Sequence, residues 1–255
     1  RSKRAELGPK FAQEYPESVP QAFIASGANY FDQEQLSAAY ASVRKPAEVR
    51  ESGLHVWEKP LAGGRYIIGA DIGGGGQSYV NDDGEEQSDY SAAAIINVLT
   101  GRVVATFRGK LKPEPFALLL LAWAKEYNEA FIVPERQGYG QQVVKILVES
   151  GYANLYKEKT TENKWVYGWY TSASSRYTLM ADFDESFRQY AITIEDERVL
   201  KEMMSFTSKV DALGRTRYQA SPGQPDDLLF AHMIGWHNRD KIPLVQRPKP
   251  IIRPG

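Results

Sequence analysis

Cysteine is absent from all 255 residues, which removes both a disulfide scaffold and any thiolate metal site from consideration. A cysteine-free chain fits a reducing compartment, and cytoplasm is the expected location. Histidine is almost as scarce, with only His55, His232 and His237, so the usual nitrogen ligands of a zinc site are few. There is no excess of one charge: the formal net charge is -1, so the chain is not a broadly basic nucleic-acid binder. Contact with phosphate would have to come from local patches. Long apolar runs are also missing. Phe116 to Trp123 is far too short to span a bilayer, and Arg1-Ser2-Lys3-Arg4 is not followed by the apolar core of an export signal, so no membrane partner is expected. No Gly-x-x-x-x-Gly-Lys-Ser/Thr phosphate loop occurs, and no internal repeat or low-complexity block is visible. A start on Arg rather than Met suggests a piece of a longer protein.

What remains is the composition of a folded domain, 42% hydrophobic and 25% charged, long enough to bury a substantial core. Residues 1–60 are rich in Glu, Pro and Ala with no strong strand pattern and read as a tail or linker. After Leu61-Ala62-Gly63-Gly64 the pattern changes, and a main domain is expected over 61–240, with an extended tail over 241–255. Arg65–Asp71 reads as a buried strand. Tyr90–Val98 and Val103–Lys110, joined through Thr100-Gly101, read as a hairpin. Phe116–Glu129 has helical spacing, Phe131–Pro134 is a short strand, and Gln141–Glu149 is a helix stopped by Ser150-Gly151. Helices are predicted over Tyr177–Tyr190, Glu195–Phe206 and Asp226–Trp236, with a hairpin over Lys209–Gln219. Strands alternating with helices define an α/β fold, a mixed central sheet flanked by helices.

Three acidic stations stand out against this layout. Asp71 ends an apolar strand and is followed by Ile72 and the run Gly73–Gly76, which clears side chains from the space beside its carboxylate. Glu135 follows the strand Phe131–Pro134, so it too is held at a strand end. Asp226 and Asp227 open the last helix. Each has an ordinary explanation: a turn-capping Asp, a solvated loop Glu, and acids placed at a helix N-terminus by its free amides. Adjacent aspartates nevertheless repel each other, and a cation would relieve that repulsion. Three carboxylate stations without cysteine point to an oxygen-ligand site for Mg²⁺ or Mn²⁺, and two such ions suit phosphodiester hydrolysis.

The order strand-Asp, hairpin, helix, strand-Glu, helix and late helix-borne Asp resembles the RNase H-like superfamily. Within it, the chain is similar to the C-terminal nuclease domain of the large terminase subunit of tailed bacteriophages. The likeness rests on Glu14–Phe23 with Ser26-Gly27 and Tyr30-Phe31-Asp32, Glu135 with Gly138–Gly140, Gly151–Tyr156, Gly168–Ser172 and Pro225-Asp226-Asp227. It runs from about Phe11 to Ala231, departing in the Gly73–Gly76 run and the acidic loop Asn81–Glu86. The resemblance implies an RNase H-like fold and a metal-dependent endonuclease that cuts double-stranded, concatemeric viral DNA when packaging starts and ends; with no base-reading helix of the usual kinds in the sequence, little sequence preference is expected. It implies Asp71, Glu135 and Asp227 as metal ligands, with Asp226 a ligand or close helper. It also implies that residues 1–60 come from the packaging-ATPase region and linker. The partners it implies are DNA, the portal, the small terminase subunit and the ATPase domain, at the procapsid in the host cytoplasm. Without the phosphate loop, this chain is not expected to hydrolyse ATP through the motor site.

Basic residues for the DNA backbone are sought in Lys209, Arg215 and Arg217 on the predicted hairpin and in Arg176; Lys157, Lys159 and Lys164 flank the middle loops, and a solvated surface is the ordinary reading of any one lysine. Trp165, Tyr167, Trp169 and Tyr170 form an aromatic cluster for which core packing is the ordinary reading and base stacking the alternative. Two other functions compete. Gly69-Ala70-Asp71-Ile72-Gly73-Gly74 resembles the first phosphate loop of actin-like and sugar-kinase-like ATP-binding phosphotransferases, although a second Asp-x-Gly loop and an adenosine-binding Gly pair are not found. The other is a non-catalytic DNA-docking module in which the acids are only structural.

Overall fold

The computed structural model describes residues 29–75, 79–80, 86–87, 90–210, 216–221 and 223–243. In chain order the elements are α1 (Gln33–Ala41), β1 (Glu48–Val49), β2 (His55–Val56), β3 (Tyr66–Asp71), β4 (Tyr79–Val80), β5 (Glu86–Gln87), β6 (Ser91–Asn97) and β7 (Arg102–Gly109). There follow α2 (Pro113–Glu126), β8 (Phe131–Pro134), α3 (Gly140–Glu149), β9 (Lys157–Lys159) and β10 (Trp165–Tyr167). The chain continues through α4 (Ala173–Arg188), α5 (Glu197–Ser205), β11 (Phe206–Val210), β12 (Thr216–Ala220) and α6 (Asp227–His237).

The central sheet runs β1-β2-β7-β6-β3-β8. Its β6–β7 hairpin is the one predicted, and β3 pairs antiparallel with β6 on one side and parallel with β8 on the other. The mixed sheet flanked by helices is therefore the expected α/β architecture. Past β8, Ile132 and Tyr156 continue the ladder, with the Ile132 amide donating to Asn154 O and the Tyr156 amide to Ile132 O, both at 2.9 Å.

Side chains on a strand alternate between faces, and here the alternation divides the core in two. Ile68 and Ala70 of β3, with Ala93 and Ile95 of β6, pack under Phe116, Leu120 and Trp123 of α2 and Val143 and Leu147 of α3. Ile67 of β3, with Ala92, Ala94 and Ile96 of β6, packs on the other face under α4, α5 and α6. The sheet is thus a middle layer between two helical layers.

Several boundaries differ from the sequence reading. The helix predicted from Phe116 begins at Pro113, because proline suits the first helical position, where its missing amide costs nothing. It ends at Glu126, before Asn128 and Glu129 take positive φ. The helix predicted from Tyr177 begins at Ala173 behind a reciprocal cap between Ser172 and Ser175, a Ser-x-x-Ser spelling weaker in sequence than Ser-x-x-Glu. The last predicted hairpin starts at Phe206, and a further hairpin, β9 with β10, stands where only loops were read. Residues 29–60, read as linker, add β1 and β2 to the sheet edge and Phe31, Leu36 and Leu54 to the core. The resemblance segment Glu14–Gly27, the loop 81–85 and the tail from residue 244 lie outside the described residues.

A close backbone contact joins β3 to α6. A Cβ placed on Gly69 would run into the carbonyl oxygen of Ala231 and the backbone of Gly235, so α6 lies directly on the strand. We therefore expect Gly69→Ala to destabilise the domain by about 3 kcal/mol, through forced separation of helix and strand. Gly235→Ala, whose Cβ would meet Gly69 N and Cα at 3.0 and 3.2 Å, should cost less. Urea denaturation of both variants checks the order; a neutral Gly69→Ala would refute the close approach.

Candidate functional site

Asp71 is the last residue of β3, and the alternation places it on the face of Gly69, under α6. Parallel pairing sets Gly69 opposite Val133 and Ala70 opposite Pro134, and the Glu135 amide donates to Ala70 O at 2.9 Å. Glu135 therefore follows at the end of the neighbouring strand, in step with Asp71. Along α6, residues 227, 231 and 235 share one side at four-residue spacing. Since Ala231 and Gly235 sit on Gly69, Asp227 is delivered one turn further on, toward Asp71.

The electrostatics agree with that construction. The Asp71 carboxyl is held well above the ordinary carboxylate range, first by burial, then by the charge of Glu135 and of Asp227, by a hydrogen bond to Glu135, and by Asp226. The two strand-end acids and the helix-borne pair thus form one interacting cluster. Asp226 is also raised, chiefly by burial, while Arg176 pulls it back. Arg176, from the first turn of α4, reaches Asp226 Oδ2 at 3.3 Å and lies 4.0 Å from the Phe230 ring centroid.

Asp226 occupies the N-cap position of α6 yet makes no capping hydrogen bond with its side chain. The free amide of Leu229 in the first turn donates instead to Glu202 Oε2 at 2.8 Å, a buried carboxylate from α5 whose other oxygen accepts from Arg108 at 2.7 Å. Burial pushes Glu202 up to about 8, against the pull of the Leu229 amide and Arg108, and Asp227 and Asp226 add to the rise. Capping is therefore done from outside the helix. The simple capping explanation thus does not fit Asp226.

The donor chemistry suits a hard divalent cation: the cluster offers carboxylate oxygens only. His232 is buried elsewhere, its Nδ1 2.6 Å from Leu228 O and its ring driven down to about 4 by burial, and His237 pairs with Asp182 at 2.9 Å. Among the described residues no three acidic or histidine side chains are gathered into a closed ligand set. Asp226 is turned to Arg176, while Asp71 and Glu135 are joined by a hydrogen bond.

The other sequence-predicted residues divide. Arg176 joins the cluster through Asp226. Lys209 and Arg217 face each other in register on β11 and β12, but their side chains, and Arg215 entirely, lie outside the description. The aromatic cluster splits as well: Trp169 is buried at 7% exposure, whereas Trp165 and Tyr170 are 56% and 49% exposed, which corrects the core-packing expectation for those two. The glycine loop after Asp71 does not have the open amides of a phosphate loop at Gly73, whose N–H donates to Ser91 Oγ at 3.2 Å. That counts against the phosphotransferase alternative. The sequence reading missed Glu202 and Arg108, whose pairing spans 94 residues; the only local hint was a Glu on the apolar side of an amphipathic helix.

The mixed sheet between two helical layers is the RNase H-like fold that the sequence resemblance implied. Among solved structures, the chain matches the large terminase nuclease of thermophilic phage G20c with bound magnesium at TM-score 0.63 and 19% identity, covering 83% of this chain and 98% of that one. The same G20c nuclease with bound cobalt matches at 0.62, also at 19% identity, over 83% and 98% of the two chains. The nuclease domain of the Thermus phage P74-26 large terminase matches at 0.59 and 19% identity, over 80% and 94%. The fold of this chain is the fold of those domains. No family model and no curated protein matches the sequence.

Two outcomes follow for the metal-free protein. A carboxyl whose folded value lies above its ordinary 3.8 gives stability that is present below that value and is lost as pH rises through the folded one. Asp71→Asn should therefore stabilise the protein in EDTA at about pH 8 and make little difference at about pH 4. Equal effects in urea denaturation at both pH values would remove Asp71 from the cluster. Glu202→Ala, which strips partners from Arg108 and the Leu229 amide, should cost about 3 kcal/mol in the same assay; a loss below about 1 kcal/mol would mean the pair is not a structural support.

Proposed function

We propose that this domain is a divalent-metal-dependent DNA endonuclease of the large terminase kind. The observation that carries the reading is the charge-coupled cluster of Asp71, Glu135, Asp226 and Asp227 at the edge of a sheet whose fold it shares with phage terminase nucleases. On this reading Asp71, Glu135 and Asp227 hold the cation, Mg²⁺ or Mn²⁺, with room in the acid count for a second ion. When bound, such an ion supplies Lewis acidity toward a phosphodiester oxygen and toward water.

The chain's own residues have separable tasks. Asp71 and Glu135, fixed by the backbone ladder, supply charge from the rigid sheet. Asp227 supplies it from α6, which Glu202 anchors through the Leu229 amide. Arg176 holds Asp226 out of the ligand set and is released to a phosphate if Asp226 turns toward the cation. Lys209, Arg215 and Arg217, on or beside the hairpin preceding α6, are further candidates for the DNA backbone. In the wider reading the substrate is concatemeric double-stranded viral DNA, cut without strong sequence preference at the start and end of packaging. The partners are then a portal, a small terminase subunit and an ATPase domain in the infected host's cytoplasm.

Supercoiled plasmid should be nicked and linearised with Mn²⁺ or Mg²⁺ and left intact with Ca²⁺ or EDTA. Asp71→Asn and Asp227→Asn should each lower the rate by at least about 100-fold, the upper end of what loss of an outer partner of a metal ligand costs. Asp226→Asn should have a smaller effect, and calorimetric Mn²⁺ titration should follow the same order. Intact plasmid with every metal would leave the docking-module alternative standing in place of the nuclease.

A further inference from the structure

One residue beyond Glu135 the surface changes character. Arg136, Gln137 and Gln141 on one side and Trp165, Tyr167 and Tyr170 on the other line an open groove of about 770 Å³ between α3 and the β9–β10 hairpin. Its two outer rings are the exposed ones, Trp165 at 56% and Tyr170 at 49%. Side by side on one groove they form an exposed aromatic pair, held in place rather than left loose. The Arg136 guanidinium lies 5.2 Å from the Tyr170 ring centroid and is itself fixed by Gly168 O and Glu158, both at 2.8 Å. Gln137 is tied to Thr171 O at 2.7 Å.

Cross-strand pairing sets Lys159 opposite Trp165 and Lys157 opposite Tyr167. The Lys157 and Lys159 ammonium groups lie 5.1 and 5.3 Å from the Trp165 ring centroid. The nearby acids are already used: Glu158 pairs with Arg136 and Glu162 with Lys164, each at 2.8 Å. Among the described residues no carboxylate pairs with Lys157 or Lys159. The aromatic wall of the groove is therefore bordered by two cations that have no carboxylate partner among the described residues. It is joined to the acid cluster by backbone, since the Arg136 amide donates to Trp169 O and the Trp169 amide to Pro134 O, both at 2.8 Å on either side of Glu135.

We propose that this groove binds unpaired nucleotides of a DNA strand leaving the acid cluster, with bases against Trp165 and Tyr170 and phosphates at Lys157 and Lys159. A paired base offers its faces only to its neighbours in the stack, whereas an unpaired one can lie on an indole or phenol ring, and such stacking is tolerant of sequence. The inference rests on the DNA-cleaving reading for its choice of substrate. It does not rest on it for its test, which needs no metal and no cleavage.

Fluorescence anisotropy in EDTA would compare a fluorescein-labelled oligothymidylate of about 12 nucleotides with an abasic strand of equal length, which keeps the phosphates and removes the bases. The wild-type chain should bind oligothymidylate at least about tenfold more tightly. Trp165→Ala with Tyr170→Ala should erase that preference, Trp165→Phe with Tyr170→Phe should restore most of it, and affinity for a duplex should change by less than about twofold in each. Equal wild-type affinity for the two single strands would overturn the proposal without reliance on any variant. So would unchanged oligothymidylate binding by the double alanine variant, which would assign the groove to a protein partner. A preference for bases together with intact plasmid in Mn²⁺ would sustain the groove and overturn the nuclease reading alone.

Discussion

The contact between Gly69 on β3 and the Ala231–Gly235 segment of α6 sets the geometry on which the acid cluster depends. Helices normally rest on a sheet at the distance their side chains allow. Here the absence of Cβ atoms on both sides brings backbone to backbone. From that point the two elements run outward together, the strand gaining Asp71 two residues on and the helix reaching Asp227 one turn back. Parallel pairing with β8 then adds Glu135 at the same edge. Carboxylates separated by 156 positions in sequence are neighbours because two glycines permit the approach and the sheet register fixes the rest.

Holding those acids together is electrostatically unfavourable, as the raised Asp71 and Asp226 carboxyls indicate. The surroundings offset this with groups that do not belong to the cluster. Glu202 satisfies an orphan amide of α6, and Asp226 at the N-cap is left free of that task. Arg108 partners Glu202, and Arg176 partners Asp226. Each removes a competing demand on the carboxylates and leaves charge at the corner incompletely neutralised. A buried charge pair is seldom a large source of net stability. Its value here is positional: it fixes the first turn of α6 from α5 and β7, two elements that are anchored in the core.

Much of this was legible in sequence because its signals are local. Short apolar runs and the Thr-Gly turn identified β3, β6, β7 and β8, and the acids were visible where the runs of β3 and β8 end. The order of elements read from those runs carried the resemblance to terminase nucleases, whose fold the chain shares. What escaped was carried by distance or by weak local patterns. Glu202 looks like an ordinary helix residue until α6 is packed beside it. The β9–β10 hairpin is written Lys-Glu-Lys and Trp-Val-Tyr, alternation too short and too polar to distinguish from a loop. The strands β1 and β2 are two residues each and gain order only by adding to an edge that already exists. The aromatic cluster misled for the opposite reason: aromatic content signals burial in general, and only the placement of the hairpin and of the segment after it shows that Trp165 and Tyr170 escape it.

The carboxyl ends of β3 and β8 form the edge at which an open α/β sheet ordinarily receives ligands. In this chain the edge is flanked unequally. Toward α6 stand Arg176 and Phe206, the latter starting the β11–β12 hairpin; toward β9 and β10 stand Arg136, Trp165 and Tyr170. The first flank is built around a carboxylate already paired with a guanidinium, a setting that suits exchange with a phosphate. The second offers ring faces with ammonium groups above them, a setting that suits a flat, anion-bearing ligand. A straight duplex would present phosphates to both flanks but base faces to neither. On the proposed DNA-cleaving reading, an asymmetric pair of flanks favours a substrate whose two strands are treated differently at the cluster, one held by its backbone and the other opened onto the rings.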